Sequence, residues 1–459
     1  MAEAVRAEVL VVGGGIAGAI AAIAARRRGA QVVLVRRSLG ATALSSGAMD
    51  IAPDPLATPQ RPRGQELSLE ACVHHLAGSR PTHPYARLGS ELGRLPEVLA
   101  FAEEVVDGLG IVSPLEPNRC LPTPMGTLKF SGGALGSVIG GDLSTSEERI
   151  GVVGFRNHLE YDAGLWAGML QAACARAGIA RSFVPVECDF LKTEEEMILR
   201  PFEIAARIDD DPGAFVKSVG AALPAGVERL LFPPILSRGD PSQVLDLLES
   251  QLFLPAAESL ATRLSVHGLR LQAHLDEALA REGVEIRSGE LRARRPRDLD
   301  SLELHPATPA LPPWQAFTPT STPPMPARGA PVEARAVILA TGKFLSGGLQ
   351  KNGCIFEPFL DLPVFVEGRR CTSSYRLTSH ALLDDQPFFS AGLRTDQRLR
   401  PQDEGGRTID ERLFACGDLL EGHDPGRDGS AMGVALFTGY LAGRWAALAA
   451  IESASWEAR

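Results

Sequence analysis

A chain of 459 residues is longer than one hydrophobic core usually serves, so two or three domains are expected. Hydrophobic residues at 45% and charged residues at 22% fit a globular protein, and a formal net charge of −10 speaks against a nucleic-acid partner. Seven scattered cysteines without a CxxC pair provide neither a disulfide framework nor the clustered thiolates of an iron–sulfur centre, and no metal site is expected.

The chain opens as strand, glycine turn, helix, strand. Glu8 to Val12 is a short apolar β-rich run, Ile16 to Arg28 is Ala-rich and helical, and Gln31 to Val35 is again strand-like. The apolar stretch Val9 to Ala25 is broken by glycines and followed by arginines, so it reads as neither a signal peptide nor a membrane span. GGGIAG, Gly13 to Gly18, has GxGxxG spacing in the right context. Gly13 permits the tight turn, Gly15 lets a pyrophosphate approach the backbone, and Gly18 lets helix and strand pack closely. Free N–H groups and the helix dipole then hold the anion. The fingerprint departs after Val35, where Arg36 and Arg37 stand in place of an acid that would accept the ribose hydroxyls. Arg36 either meets a phosphate or is solvated at the strand end; alternatively the adenosine half is absent, as in a mononucleotide.

From about Leu56 to Gly141 the pattern weakens. A second α/β pattern follows: RIGVVG from Arg149, a helix from Tyr161 to Ala177, and strands at Arg181–Cys188 and Glu228–Phe232. A helix from Leu269 to Arg281 ends near Gly283. Residues 296–331 are crowded with proline and read as a loop or linker. ARAVIL, Ala334 to Leu339, is a strand ending in Ala340, Thr341 and Gly342, and LFACGD is a short strand ending in Gly417 and Asp418. The last apolar helix, Gly433 to Ile451, holds Arg444 near its middle and is not expected to span a membrane. The expected fold is α/β: a Rossmann-like FAD/NAD(P)-binding domain built from residues 1–55 plus 332–459, with an inserted α/β domain over 56–295.

The three separated signals resemble flavoproteins whose sheet is completed by a returning segment, and Gly392 to Asp418 looks like the closing segment of fumarate-reductase-type flavoproteins. SSGAMD (Ser45 to Asp50), THPY (Thr82 to Tyr85), TPMGTL (Thr123 to Leu128), IGVVGF (Ile150 to Phe155), GKFLSGGL (Gly342 to Leu349) and EGHDP (Glu421 to Pro425) carry a wider likeness. Over Val9 to about Arg444 the chain resembles the B subunit family of anaerobic glycerol-3-phosphate dehydrogenase. The resemblance implies a complex that oxidises sn-glycerol 3-phosphate to dihydroxyacetone phosphate and passes electrons to quinone. It implies an FAD-bearing A-type subunit, an iron–sulfur C-type subunit anchoring the complex, and a cytoplasmic chain held at the inner membrane through these partners. It also implies FMN, with FAD the alternative, held by Gly13, Gly15, Gly18, Arg36, Ser46, Gly47, Thr341, Gly342, Gly417, Asp418 and Met432.

Oxidising a secondary alcohol needs a base for the hydroxyl proton, and His83 and His423 are the candidates because histidine titrates near neutrality. Lys343, Arg398 and Arg400 are candidates for a phosphate monoester, while Asp50 and Asp424 sit beside turns that they serve to fix. Three readings stay open: a flavin subunit of the dehydrogenase complex, a self-sufficient flavin oxidoreductase on another small hydroxy or keto acid, and a non-catalytic assembly subunit.

Overall fold

The computed structural model describes residues 4–56, 66–144, 148–158, 160–262, 265–306, 329–375, 377–381 and 383–457. Strand β1 (Val5–Val12) leads through a glycine turn into helix α1 (Ile16–Arg26) and strand β2 (Val32–Arg36). Much later come helix α2 (Val266–Arg281), strands β3 (Glu285–Ser288), β4 (Glu290–Ala293), β5 (Leu302–His305), β6 (Ala330–Leu339) and β7 (Leu413–Ala415), and helix α3 (Ala431–Glu457). The parallel sheet runs β3-β2-β1-β6-β7, with the hairpin β4–β5 added antiparallel at the start of β6. Val9 pairs with Val32 on one side and Ala336 on the other, and Leu339 pairs with Ala415. The central strands are valine- and leucine-rich and buried through their second halves, as a parallel sheet covered on both faces requires.

Both chain ends thus build one sheet, but they do not build it alone. Residues 266–288, which composition placed in the intervening segment, supply α2 and the edge strand β3. β3 reads EIRS with three exposed side chains, so it offers no apolar run to find. Residues 302–305, placed in the proline-rich loop, form β5; residues 307–328 lie outside the described residues.

A second parallel sheet, ordered 256–258, 229–232, 149–155 and 182–188, carries its own core between Cys120 and Leu254. The expected strands RIGVVG, Arg181–Cys188 and Glu228–Phe232 are there, as is the helix, at Ala163–Arg176. Residues 69–138, by contrast, contribute Leu69, Leu95 and Val138 to the main core.

Helix α3 is long and apolar, and it is mostly buried. It lies along α1 at backbone contact: a Cβ on Gly439 would sit 2.5 Å from Ala17 O, and one on Gly443 would sit 2.2 Å from Ala21 O. Gly443→Ala therefore forces the two helices apart. Despite a propensity gain of about 1 kcal/mol it should lower stability by about 1–3 kcal/mol in urea unfolding. Gly168→Ala, on an exposed helix face with open space around it, should instead raise stability by about 0.5–1 kcal/mol.

Candidate functional site

The C-terminal ends of β2, β1, β6 and β7 are stitched together by main-chain bonds. Gly13 N donates to Val35 O at 2.9 Å, Ala340 N to Val12 O at 2.8 Å, and Cys416 N to Leu339 O at 2.9 Å. Gly13 has φ +121°, and a Cβ there would lie 2.2 Å from Ala340 O. A Cβ on Gly18 would lie 1.9 Å from Gly13 O, so the helix can start only where no side chain intervenes. Gly15 differs: its backbone is extended, at φ −75° and ψ 177°, and a Cβ would meet only Thr42 Oγ1, at 3.1 Å. Gly15 and Thr42 both line a cavity of about 860 Å³.

At one end the cavity is walled by Val35, Arg37, Ser38 and residues 289–293 around β4. Its middle is the Gly13–Ile16 turn with Thr42, and its other end is walled by Ser45, Ser46, Asp418, His423 and Met432. Thr341, Gly342 and Lys343 complete that side. Of the residues singled out by sequence, Gly13, Gly15, Arg36, Ser46, Thr341, Gly342, Asp418, Met432 and His423 line the cavity. Gly18, Gly47, Gly417 and His83 do not. Gly417 packs on α1, its Cβ position 2.7 Å from Ala17 Cβ, and Gly47 backs the wall against His267.

His83 is fully buried as the cap of the short helix Pro84–Leu88, accepting from Tyr85 N at 3.2 Å, with Nε2 3.1 Å from Ser430 Oγ. Burial first, then the charges of His423, Arg80 and Lys343, push its pKa down to about 2. It is a neutral strut away from the cavity. Arg36 departs from both of its expected roles. It is neither solvated nor free for a phosphate, because Asp276 of α2 takes its guanidinium in a forked pair at 2.5 and 2.8 Å. Gln272 of the same helix donates to Gly14 O at 3.1 Å, tying α2 to the glycine turn. Arg398 stacks over Trp445 at 5.2 Å, and Arg400 pairs with Asp396 at 2.7 Å and with Glu411, so neither reaches the cavity. Asp424 caps Gly426 and Arg427, while Asp50 lines the cavity and pairs with Lys129 at 2.9 Å.

Sequence reasoning missed Thr42, whose hydroxyl accepts from Ile16 N at 2.9 Å and so stands at the start of α1 in the cavity wall. It missed Asp276 as well, since no local pattern links residues 240 positions apart.

The far wall is charged. Lys343 Nζ, buried, donates to Phe389 O at 2.6 Å and to His423 O, and lies 3.6 Å from Asp418 Oδ1. His423 Nδ1 comes within 3.2 Å of the same oxygen without lining up as a hydrogen bond. Burial lowers the Lys343 pKa. Burial opposes ionisation of Asp418, but His423 and Lys343 outweigh it and hold the carboxyl below its usual range.

A flavin nucleotide fits this donor set. Thr341 Oγ1, Asp418 Oδ1 and both ring nitrogens of His423 have no hydrogen-bond partner among the described residues, although their residues line the cavity. Buried polar atoms rarely stay unpaired, and a polyhydroxyl chain would pair with them. The glycine turn supplies backbone N–H groups at a helix N-terminus for the phosphates.

Residues 8–187 match the FAD binding domain family. The B subunit of anaerobic glycerol-3-phosphate dehydrogenase from Pectobacterium carotovorum subsp. carotovorum is 28% identical over 445 residues, covering 94% of this chain and 96% of that one. The probable B subunit of the same enzyme from Halobacterium salinarum is 27% identical over 456 residues, covering 97% and 98%. This chain is similar to those B subunits over almost their whole length. Its nucleotide-binding half has the Rossmann-like architecture of FAD-binding domains. Among solved structures, 3-ketosteroid delta1-dehydrogenase from Sterolibacterium denitrificans aligns with 96% of this chain and 99% of its own at 12% identity, with a TM-score of 0.42.

Gly15→Val should fold with a thermal midpoint near that of the native chain yet purify without flavin, because the side chain projects into the cavity. Gly13→Ala should lose more than about 1–3 kcal/mol, combining left-handed strain with a backbone collision. Visible absorbance and thermal melts of both variants check this; a yellow Gly15→Val would remove the phosphate role of the turn.

Proposed function

We propose that this chain is the flavin-holding component of a glycerol-3-phosphate dehydrogenase complex that passes electrons from glycerol 3-phosphate towards quinone. The carrying observation is one continuous cavity that runs from the ends of β2 and β4 across the glycine turn to Asp418 and His423. A-type and iron–sulfur C-type partners would complete the complex and hold it at the membrane, as the likeness to the B subunit family implies.

We take the nucleotide to be FAD rather than the FMN that the resemblance implied. Beyond the phosphate turn the cavity continues along Val35, Arg37 and residues 289–293, a space an FMN phosphate would leave empty and an adenosine would fill. The match to an FAD binding domain supports the same choice. The missing acid after Val35 carries less weight, because Arg36 is already paired with Asp276 and needs no phosphate.

When bound, the flavin supplies the two-electron acceptor. For the alcohol proton the chain offers His423, whose ring lines the cavity beside a carboxylate. Lys343 stands behind that proton acceptor, its ammonium donating to the His423 carbonyl.

Denaturing the purified chain and weighing the released chromophore should give FAD; FMN would overturn the dinucleotide reading, and a colourless chain would overturn the flavin reading. Under anaerobic conditions His423→Gln should slow bleaching by glycerol 3-phosphate on the order of 10²–10⁴-fold at unchanged flavin content. His83→Gln should instead cost about 1 kcal/mol of stability as a lost cap while leaving the rate alone. Equal slowing in both variants would refute the separation of roles.

A further inference from the structure

Three chain segments meet at the Lys343 ammonium: the turn after β6, the turn holding Phe389, and the turn after β7 that carries Asp418 and His423. Both main-chain carbonyls accept a hydrogen bond from Nζ, so Lys343 fixes where the His423 backbone lies. Asp418 Oδ1 then stands between the cation, at 3.6 Å, and the imidazole Nδ1, at 3.2 Å. His83 packs edge-on against the His423 ring, with centroids 5.8 Å apart and planes at 84°.

We infer that Lys343 and Asp418 are positioning residues that keep the His423 proton on Nδ1 and leave Nε2 as the basic nitrogen. This rests on the reading of His423 as the proton acceptor. A neutral imidazole carries one proton, and which nitrogen holds it is set by what the other groups accept or donate. An ionised carboxylate only accepts, so the charge of Oδ1, 3.2 Å from Nδ1, favours the Nδ1–H form even without a lined-up hydrogen bond. A protonated Asp418 would be able to donate, and the selection would be lost. Against burial, His423 and the Lys343 ammonium 3.6 Å away together keep it ionised. The remaining charges around the pair are already engaged: Asp428 is paired with Arg80, and the Asp424 carboxylate caps the turn at residues 426 and 427. Lys343 therefore acts on the reaction through Asp418 and His423 rather than on the substrate.

The test is the ring-nitrogen spectrum of the full chain labelled with 15N-histidine, the His423 signals being those lost in His423→Gln. The native chain and Lys343→Arg should show His423 protonated on Nδ1. Asp418→Asn and Lys343→Met should show a mixed or inverted tautomer, and in the flavin-loaded protein kcat should fall on the order of 10²-fold with KM little changed. A native ring protonated on Nε2, or variants that leave the tautomer as in the native chain, would overturn the proposal. If Lys343→Met does not fold, Asp418→Asn alone decides by the same two outcomes. Flavin content on the same preparations keeps the two readings apart, since the tautomer is read whether or not flavin is bound.

Discussion

The site depends on backbone-to-backbone approach between the first helix and the last. With Gly439 and Gly443 over the Ala17 and Ala21 carbonyls, α3 lies along α1 with no side chain between them. Gly417 lets the turn after β7 close on Ala17. As a result the N-terminal turns of α1 and α3 open on the same cavity, through residues 15–17 and 431–432. Each brings partial positive charge, and together they favour an anionic occupant. Bulk at any of these glycines would separate the ends of the chain before it altered any chemistry.

The chain has also changed how it manages charge at the edge of that site. An acid at the end of β2 would face the cavity as a lone carboxylate. Here Arg36 occupies the position, and its charge is met from α2 by Asp276, while Gln272 on the next turn of α2 bonds to both Asp276 and the glycine turn. The half-buried pair takes Arg36 out of play as a lone charge at this end of the cavity.

What the sequence made legible follows from what glycine and short apolar strands are needed for. GGGIAG, Ala340–Gly342 and LFACGD were readable because turns of positive φ and close packing admit few other residues. The edge strand β3 was not, since its exposed side chains obey no burial pattern. Arg36–Asp276, Thr42–Ile16 and Lys343–His423 were not, because each joins segments that only the fold brings together. His83 had a local signal that points away from catalysis: it directly precedes Pro84, and a side chain before a proline-started helix is placed to cap it.

Most of the intervening segment bears on the site without lining it: among the described residues, none between 51 and 288 contributes to the cavity wall, and only 289–293 do so from its end. Its influence passes through the wall's support. Ala261 N donates to Ser46 O at 2.9 Å, and Ser265 Oγ to Ser45 O, so the Ser45–Ser46 wall hangs from the segment joining the second sheet to α2. Beneath it Arg270 of α2 and Glu258 of the second sheet form a buried pair at 2.5 Å. Burial would raise the Glu258 carboxyl, yet Arg270 and His267 hold it down to about 2. Such a pair adds little net stability over apolar packing, but breaking it by removing one partner costs about 3–5 kcal/mol. It therefore fixes one orientation of the second sheet relative to α2, and through α2 the height of the cavity wall. A displacement of that sheet has to move either the ion pair or the Ser45–Ser46 wall, so the second core is mechanically part of the site it does not touch.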